Sequence, residues 1–183
     1  MTEFRITTER LILRDWRDAD REPWHAMCCD PEVMATIGPL KTRAESDAQI
    51  DRFLAQGAAI GHTVWALERR VDGAFLGFCG LVRGEFAPIM NEVEIGWRLW
   101  GKDWGRGYAR EAAQACLDWG WKHTDTNRIW AITTPGNLRS WGLMERLGMA
   151  RHHDLDFDHP NVPDDSPLKR HIAYSIGRNP QGE

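Results

Sequence analysis

The sequence predicts a mixed α/β domain, an α+β sheet of about seven strands with helices on both faces. Short alternating apolar runs recur along the whole chain. Between them lie segments with helix caps and 3.6-residue apolar periodicity. Their order, β-α-α-β-β-β-α-β-α-β-β, is neither a βαβ repeat series nor a helical bundle. The 183 residues fit one domain, expected to span positions 1–183.

Each element has a local cause. "RLILRDW" (10–16) alternates as a strand does. Asp18 is a plausible N-cap for a helix over "ADREPWHAMCC", with Pro23 early in it, and Pro31 restarts a short helical piece. "TRAE" (42–45) has capping-box spacing. Ile50, Phe53, Leu54 and Gly57 then share one helix face, and Gly57 or Gly61 ends the helix. "HTVWALERR" and "FLGFCGLVRGE" flank Asp72-Gly73, a hairpin signal. "NEVEIGWRL" places Val93, Ile95, Trp97 and Leu99 on one strand face. A glycine-rich loop follows. After it comes a helix to about His123 whose small face (Ala109, Ala112, Ala113, Cys116, Gly120) suits close packing on a sheet. "RIWAITT" is a strand. "NLRSWGLMERLG" is a helix capped by Asn137 and stopped by Gly148. "MARHHDLDF" and "KRHIAYSIG" finish as strands around a proline-rich loop.

Composition excludes several classes. A net charge of −4 argues against a nucleic-acid binder, which would carry a basic face. No apolar run is long enough to span a membrane, and the N-terminus has no secretory apolar core. Cys28, Cys29, Cys79 and Cys116 form no C-x-x-C pair, so free thiols in a reducing, cytoplasmic setting are expected. The histidines show no H-x-x-x-H spacing. Adjacent His152 and His153 would point to opposite faces of a strand, so no metal site is expected.

The loop "GKDWGRGYA" (101–109) carries most of the functional signal. Glycines between a strand and a helix let backbone N–H groups converge on an anion, and the helix N-terminus adds partial positive charge. It is not a mononucleotide loop, because no glycine is followed by Lys and Ser/Thr. It is not the dinucleotide fingerprint either, because Arg110 stands where that motif needs Gly or Ala. The spacing that fits is [QR]-x-x-G-x-[GA], with Lys102 in the first place and Gly105 and Gly107 following.

This resembles the pyrophosphate loop of the GNAT superfamily of acetyl-CoA-dependent N-acyltransferases. "VEIGWRLWGKDWGRGYAREA" is most similar to the RimJ/RimL-like branch, which acetylates ribosomal-protein N-termini. The resemblance runs from "TERLILRDW" to "HIAYSI" and includes "NLRSWGLMERLGM", where Gly148-Met149 stands for the family's Gly-Phe. It implies a mostly antiparallel sheet with a splayed central strand pair and acetyl-CoA as co-substrate. Binding residues would be Trp97, Leu99, Lys102, Trp104, Gly105, Arg106, Gly107, Tyr108, Ala109 and Asn137. Asn137 can serve as a helix cap, a cofactor contact or both.

The implied reaction is direct attack of an amine on the thioester, with no covalent enzyme intermediate. Cys79 and Cys116 should therefore be replaceable. At pH 7, deprotonating an α-amine costs about 1 kcal/mol and a lysine ε-amine about 4.6 kcal/mol. A terminal amine thus needs only a modest base. Glu94 and Glu92 are the candidates, with Glu94 matching the family's "EIG" and a structural carboxylate the alternative for each. Seven residues after Asn137, where many members carry a Tyr that protonates the thiolate, stands Met144. Ser140 is the branch's replacement. Asp156, Asp158 and His159 in the late loop, with Trp24 and the first two helices, are candidate acceptor-side groups.

The acceptor is expected to be a small-molecule or peptide amine, and the protein a monomer or homodimer without nucleic-acid or membrane partners. Two alternatives stand beside transfer of acetyl. One is transfer of another acyl group such as succinyl, whose signature would be a basic pocket residue. The other is a CoA-binding sensor without transferase activity.

Overall fold

The computed structural model describes residues 4–178. Strands β1 (Arg5–Thr7) and β2 (Leu11–Arg14) lead into helices α1 (Arg21–Cys28), α2 (Pro31–Met34) and α3 (Arg43–Ile60). Strands β3 (Val64–Arg69), β4 (Phe75–Arg83) and β5 (Val93–Leu99) follow, then α4 (Tyr108–His123) and β6 (Arg128–Thr133). Helix α5 (Leu138–Arg146) and strands β7 (Ala150–Asp158) and β8 (Arg170–Gly177) complete the order. The sheet has eight strands in the order β1-β2-β3-β4-β5-β6-β8-β7, and only β5 and β6 pair in parallel.

Period-two alternation decides the layers. In β3, Trp65 and Leu67 enter the core beneath α4 and α5, while Val64 and Ala66 enter the core beneath α1, α2 and α3. In β5, Ile95 and Leu99 are buried with Ala112, Ala113 and Cys116 of α4, and Val93 and Trp97 pack against the same cluster. The small face of α4 is required here. A Cβ on Gly120 would stand 2.7 Å from Leu81 Cδ1. The hairpin turns at Gly73, and a bulge at Leu67/Glu68 shifts the β3–β4 register.

The capping box Thr42–Glu45 starts α3 and Gly61, in the left-handed region, ends it. Three expectations need correction. Strand β1 was not legible; its three residues pair with β2, and Ile6 packs against the core. Asp18 does not cap α1. It opens a 3-10 turn, Asp18–Asp20, because Asp20 is drawn inward by Arg14 at 2.7 and 2.8 Å and by the Arg17 N–H at 2.8 Å. Asp156 and Asp158 lie in β7 rather than in the loop after it.

Candidate active site

Strands β5 and β6 meet at only two register pairs, Val93 with Ile129 and Glu94 with Trp130. Beyond Glu94, residues 95–99 remain bonded to β4 on one edge and have no β6 partner on the other. The sheet splays there, and the open edge leads straight into the glycine loop. Trp97 and Leu99, predicted as binding residues, lie on this edge.

The loop itself is shaped for an anion. Gly105 and Gly107 have φ of 73° and 81°, which L side chains rarely adopt. Gly107 is the N-cap of α4. Its carbonyl accepts from the Glu111 N–H, yet the N–H groups of residues 105–110 have no backbone acceptor among the described residues. Alternating conformations of this kind form a concave nest of donors, here reinforced by the start of a four-turn helix. Gly105, Arg106, Tyr108 and Ala109 all belong to it. Lys102 stands in a preceding 3-10 turn with Nζ 5.3 Å from the Trp100 ring, and Trp104 donates Nε1–H to the Leu99 carbonyl at 2.9 Å.

Braces that no motif reveals hold this loop. Arg10 donates to the Arg106 carbonyl at 2.9 Å and pairs with Glu111 at 2.7 Å. Glu111 also accepts from Thr8 Oγ1 at 2.6 Å. Arg69 reaches buried Asp103 at 3.4 Å. These partners lie far apart in sequence, so spacing carries no signal of them.

Of the two candidate bases, the structure brings only Glu94 to the splay. It is half-buried at the fork, on the face away from α4. Burial, with Glu85 nearby adding like charge, pushes its carboxyl from the usual 4.5 up to about 8. Glu92 lies outside β5, exposed in the turn before it, where its carbonyl accepts from the Gly84 N–H. It lines a separate cleft of about 430 Å³ with His62, Arg83 and Asp125, at the end of β5 remote from the glycine loop. The tight 84–92 loop removes it from the strand.

Across the gap, Asn137 caps α5 by accepting from the Ser140 N–H at 3.2 Å. That bond uses the backbone of Ser140 and leaves its hydroxyl for another role. Met144 is buried, so no Tyr occupies that helix position. Tyr174 contacts Glu145 at 3.4 Å and Tyr108 stacks under Arg10 at 4.8 Å. Asp156 pairs with Arg151 and Asp158 with Arg170, so both already have cationic partners. His159 packs against His171 and Phe86. Trp24, in α1, is fully buried. Among the described residues no cluster of three His, Cys, Asp or Glu side chains is arranged to hold a metal, and no helix is long and apolar enough to cross a membrane.

The acetyltransferase (GNAT) domain family matches residues 10–150. YkkB of Bacillus subtilis, an uncharacterized protein, is 32% identical over 148 residues, covering 79% of this chain and 84% of that one. The [ribosomal protein uS5]-alanine N-acetyltransferase of Escherichia coli is 26% identical over 166 residues, covering 80% and 78%. The crystal structure of an acetyltransferase from Agrobacterium tumefaciens superimposes with a TM-score of 0.78 at 25% identity, covering 97% of this chain and 96% of that one. The glycine loop and the splay are the features that the sequence resemblance implied, and the chain belongs to the GNAT acetyltransferases, in their RimJ/RimL-like branch.

Proposed function

We propose that the protein transfers an acetyl group from acetyl-CoA to a primary amine by direct attack. Family membership implies acetyl-CoA as co-substrate and an amine as acceptor. The observation that carries the reading is the run of unpaired N–H groups over residues 105–110 at the mouth of the splay. A diphosphate seated there would point its attached chain along residues 97–99. The open β5 edge can take an amide-bearing chain as it would take another strand. Lys102 and Arg106 add positive charge around the nest, and Asn137 borders the opposite side of the gap.

Glu94 would receive the proton that the attacking amine loses, directly or through one water. A base near 8 is matched to an α-ammonium group at about 7.7–8, so the transfer is close to thermoneutral. As the new C–N bond forms and the C–S bond breaks, Ser140 Oγ would donate a hydrogen bond to the departing thiolate. A β5 N–H would polarise the thioester carbonyl. No side chain forms a covalent intermediate in this scheme.

The experiment is acetyl-CoA turnover, followed by thiol release, over a panel of primary amines. Amine-dependent release supports transfer. Tight acetyl-CoA binding with no turnover on any amine would instead favour a sensor.

A further inference from the structure

Arg98 is a half-buried cation for which the fold supplies no carboxylate among the described residues. It lies on the same face of β5 as Glu94, four residues along the strand, with register partner Phe78. Its guanidinium stands 4.9 Å from the Trp24 ring and 5.7 Å from the Phe78 ring. Nη1 is 3.6 Å from Cys28 Sγ, a weak acceptor, and Nε is buried without any hydrogen-bond partner. No acidic side chain pairs with it among the described residues. Burial accordingly lowers its pKa.

Arg14 shows what the same fold does with a buried guanidinium whose role is internal. That side chain holds Asp20 at 2.7 Å and Glu68 at 2.8 Å. Two aromatic rings offset part of the desolvation of Arg98, but they leave donors of its planar fork unused. A guanidinium whose Nε is withdrawn from water without a partner is costly, so the partner is expected to arrive from outside.

The position says what that partner joins. Gly96 lies between Glu94 and Arg98 on the same face, and a Cβ there would touch only Phe78, at 3.9 Å. The floor between the two charged residues is therefore open. Glu94 and Glu85 form the acidic end. Arg98 forms the basic end, about 13 Å away along the backbone. The two ends share one face of β5, beside the edge that β6 leaves unpaired.

We propose that Arg98 binds a carboxylate carried by one of the two substrates of transfer. The carboxylate belongs either to a zwitterionic amine acceptor or to the far end of a dicarboxylic acyl group. This rests on the transferase reading above and narrows its substrate class. Polyamines and other purely cationic acceptors are disfavoured by it.

The test compares wild type with Arg98→Met and Arg98→Lys in the intact chain. One arm offers acetyl-CoA with amino acids and short peptides against their C-terminal amides. The other offers succinyl-CoA against acetyl-CoA with an uncharged-ended amine. The wild type is expected to favour the carboxylate in one arm by about tenfold or more in kcat/KM. Arg98→Met should abolish that preference, and Arg98→Lys should retain part of it. The arm that responds identifies the source. A thermal-shift titration with succinate reads the site without turnover. Stabilisation of wild type but not of Arg98→Met supports the proposal. It does so even if no amine is acetylated, in which case only the transferase reading fails. Measurable transfer with no carboxylate preference in either arm overturns the proposal. So does a preference unchanged in both variants, or the absence of both transfer and a succinate shift. If Arg98→Met does not fold, the role is structural unless Arg98→Lys alone shows the selective loss.

Discussion

Glu94 and Trp130 are the last residues paired between the parallel strands β5 and β6, and the gap opens directly beyond them. The carboxyl of Glu94 thus stands at the fork of the sheet, partly withdrawn from water. Its raised pKa follows from that placement and from the neighbouring Glu85.

A base must be ionised to act, so kcat/KM should rise with pH through the region around 8. Glu94→Gln should lower kcat/KM by about 100-fold at pH 8, leaving only the limb set by the amine's own ionisation at about 7.7–8. A pH–rate profile of both proteins over pH 6–10 checks this. Superimposable profiles would remove Glu94 from the mechanism.

The same group links stability to pH. Its folded pKa of about 8 exceeds the ordinary 4.5, so the folded chain holds a proton that the unfolded chain releases between those values. Stability should therefore fall as pH rises from about 4.5 to about 8. With a discount for partial exposure, the loss attributable to Glu94 is about 2 kcal/mol. Glu94→Gln, which stays neutral, should lack it. Urea unfolding at pH 6 and pH 9 measures the difference.

Asn137 and Ser140 should separate cleanly. The cap bond runs from the Ser140 backbone to the Asn137 side chain. Ser140→Ala keeps it and should leave stability within about 0.5 kcal/mol while lowering kcat about tenfold. Asn137→Ala loses it, at about 1 kcal/mol, and should also raise KM for acetyl-CoA. Chemical unfolding with steady-state kinetics on both variants reads the two effects apart.

No cysteine should be essential. Cys79 and Cys116 are buried, with sulfurs 3.6 Å apart, and burial pushes the Cys116 thiol well above its usual value. Such a thiol is a poor nucleophile. Cys116→Ala should keep turnover within about twofold and cost about 1 kcal/mol of stability. Initial-rate patterns should be sequential, since ping-pong kinetics require an acyl-enzyme.

Much of the fold was legible because its causes are local. The Thr42–Glu45 box, the Asn137 cap, the Asp72-Gly73 hairpin and the small face of α4 each act within a few residues. The shape of the glycine loop was legible for the same reason, since positive φ at Gly105 and Gly107 depends on residue type. What escaped depends on contacts that no motif or periodicity encodes. Arg14 claims Asp20 and relocates the start of α1. Arg10 and Glu111 brace the loop from about 100 residues apart. Glu92 and Glu94 looked equivalent by alternation, and the tight turn before β5 separates them. Arg98 belongs to no motif, and its place against Trp24 depends on α1 folding over that face.

The central claim is that the loop around Gly107 holds the diphosphate of acetyl-CoA. Calorimetric titration with acetyl-CoA tests it most directly, using wild type and Gly107→Trp in parallel. A side chain at Gly107 must adopt φ of 81° and would meet Arg10 Nη2 at 3.3 Å from its Cβ, so the variant should spoil the nest while the sheet remains folded. The account predicts dissociation constants of about micromolar or tighter for wild type, with binding at least about 100-fold weaker in the variant. No heat of binding from folded wild type, or equal binding by the variant, would contradict it.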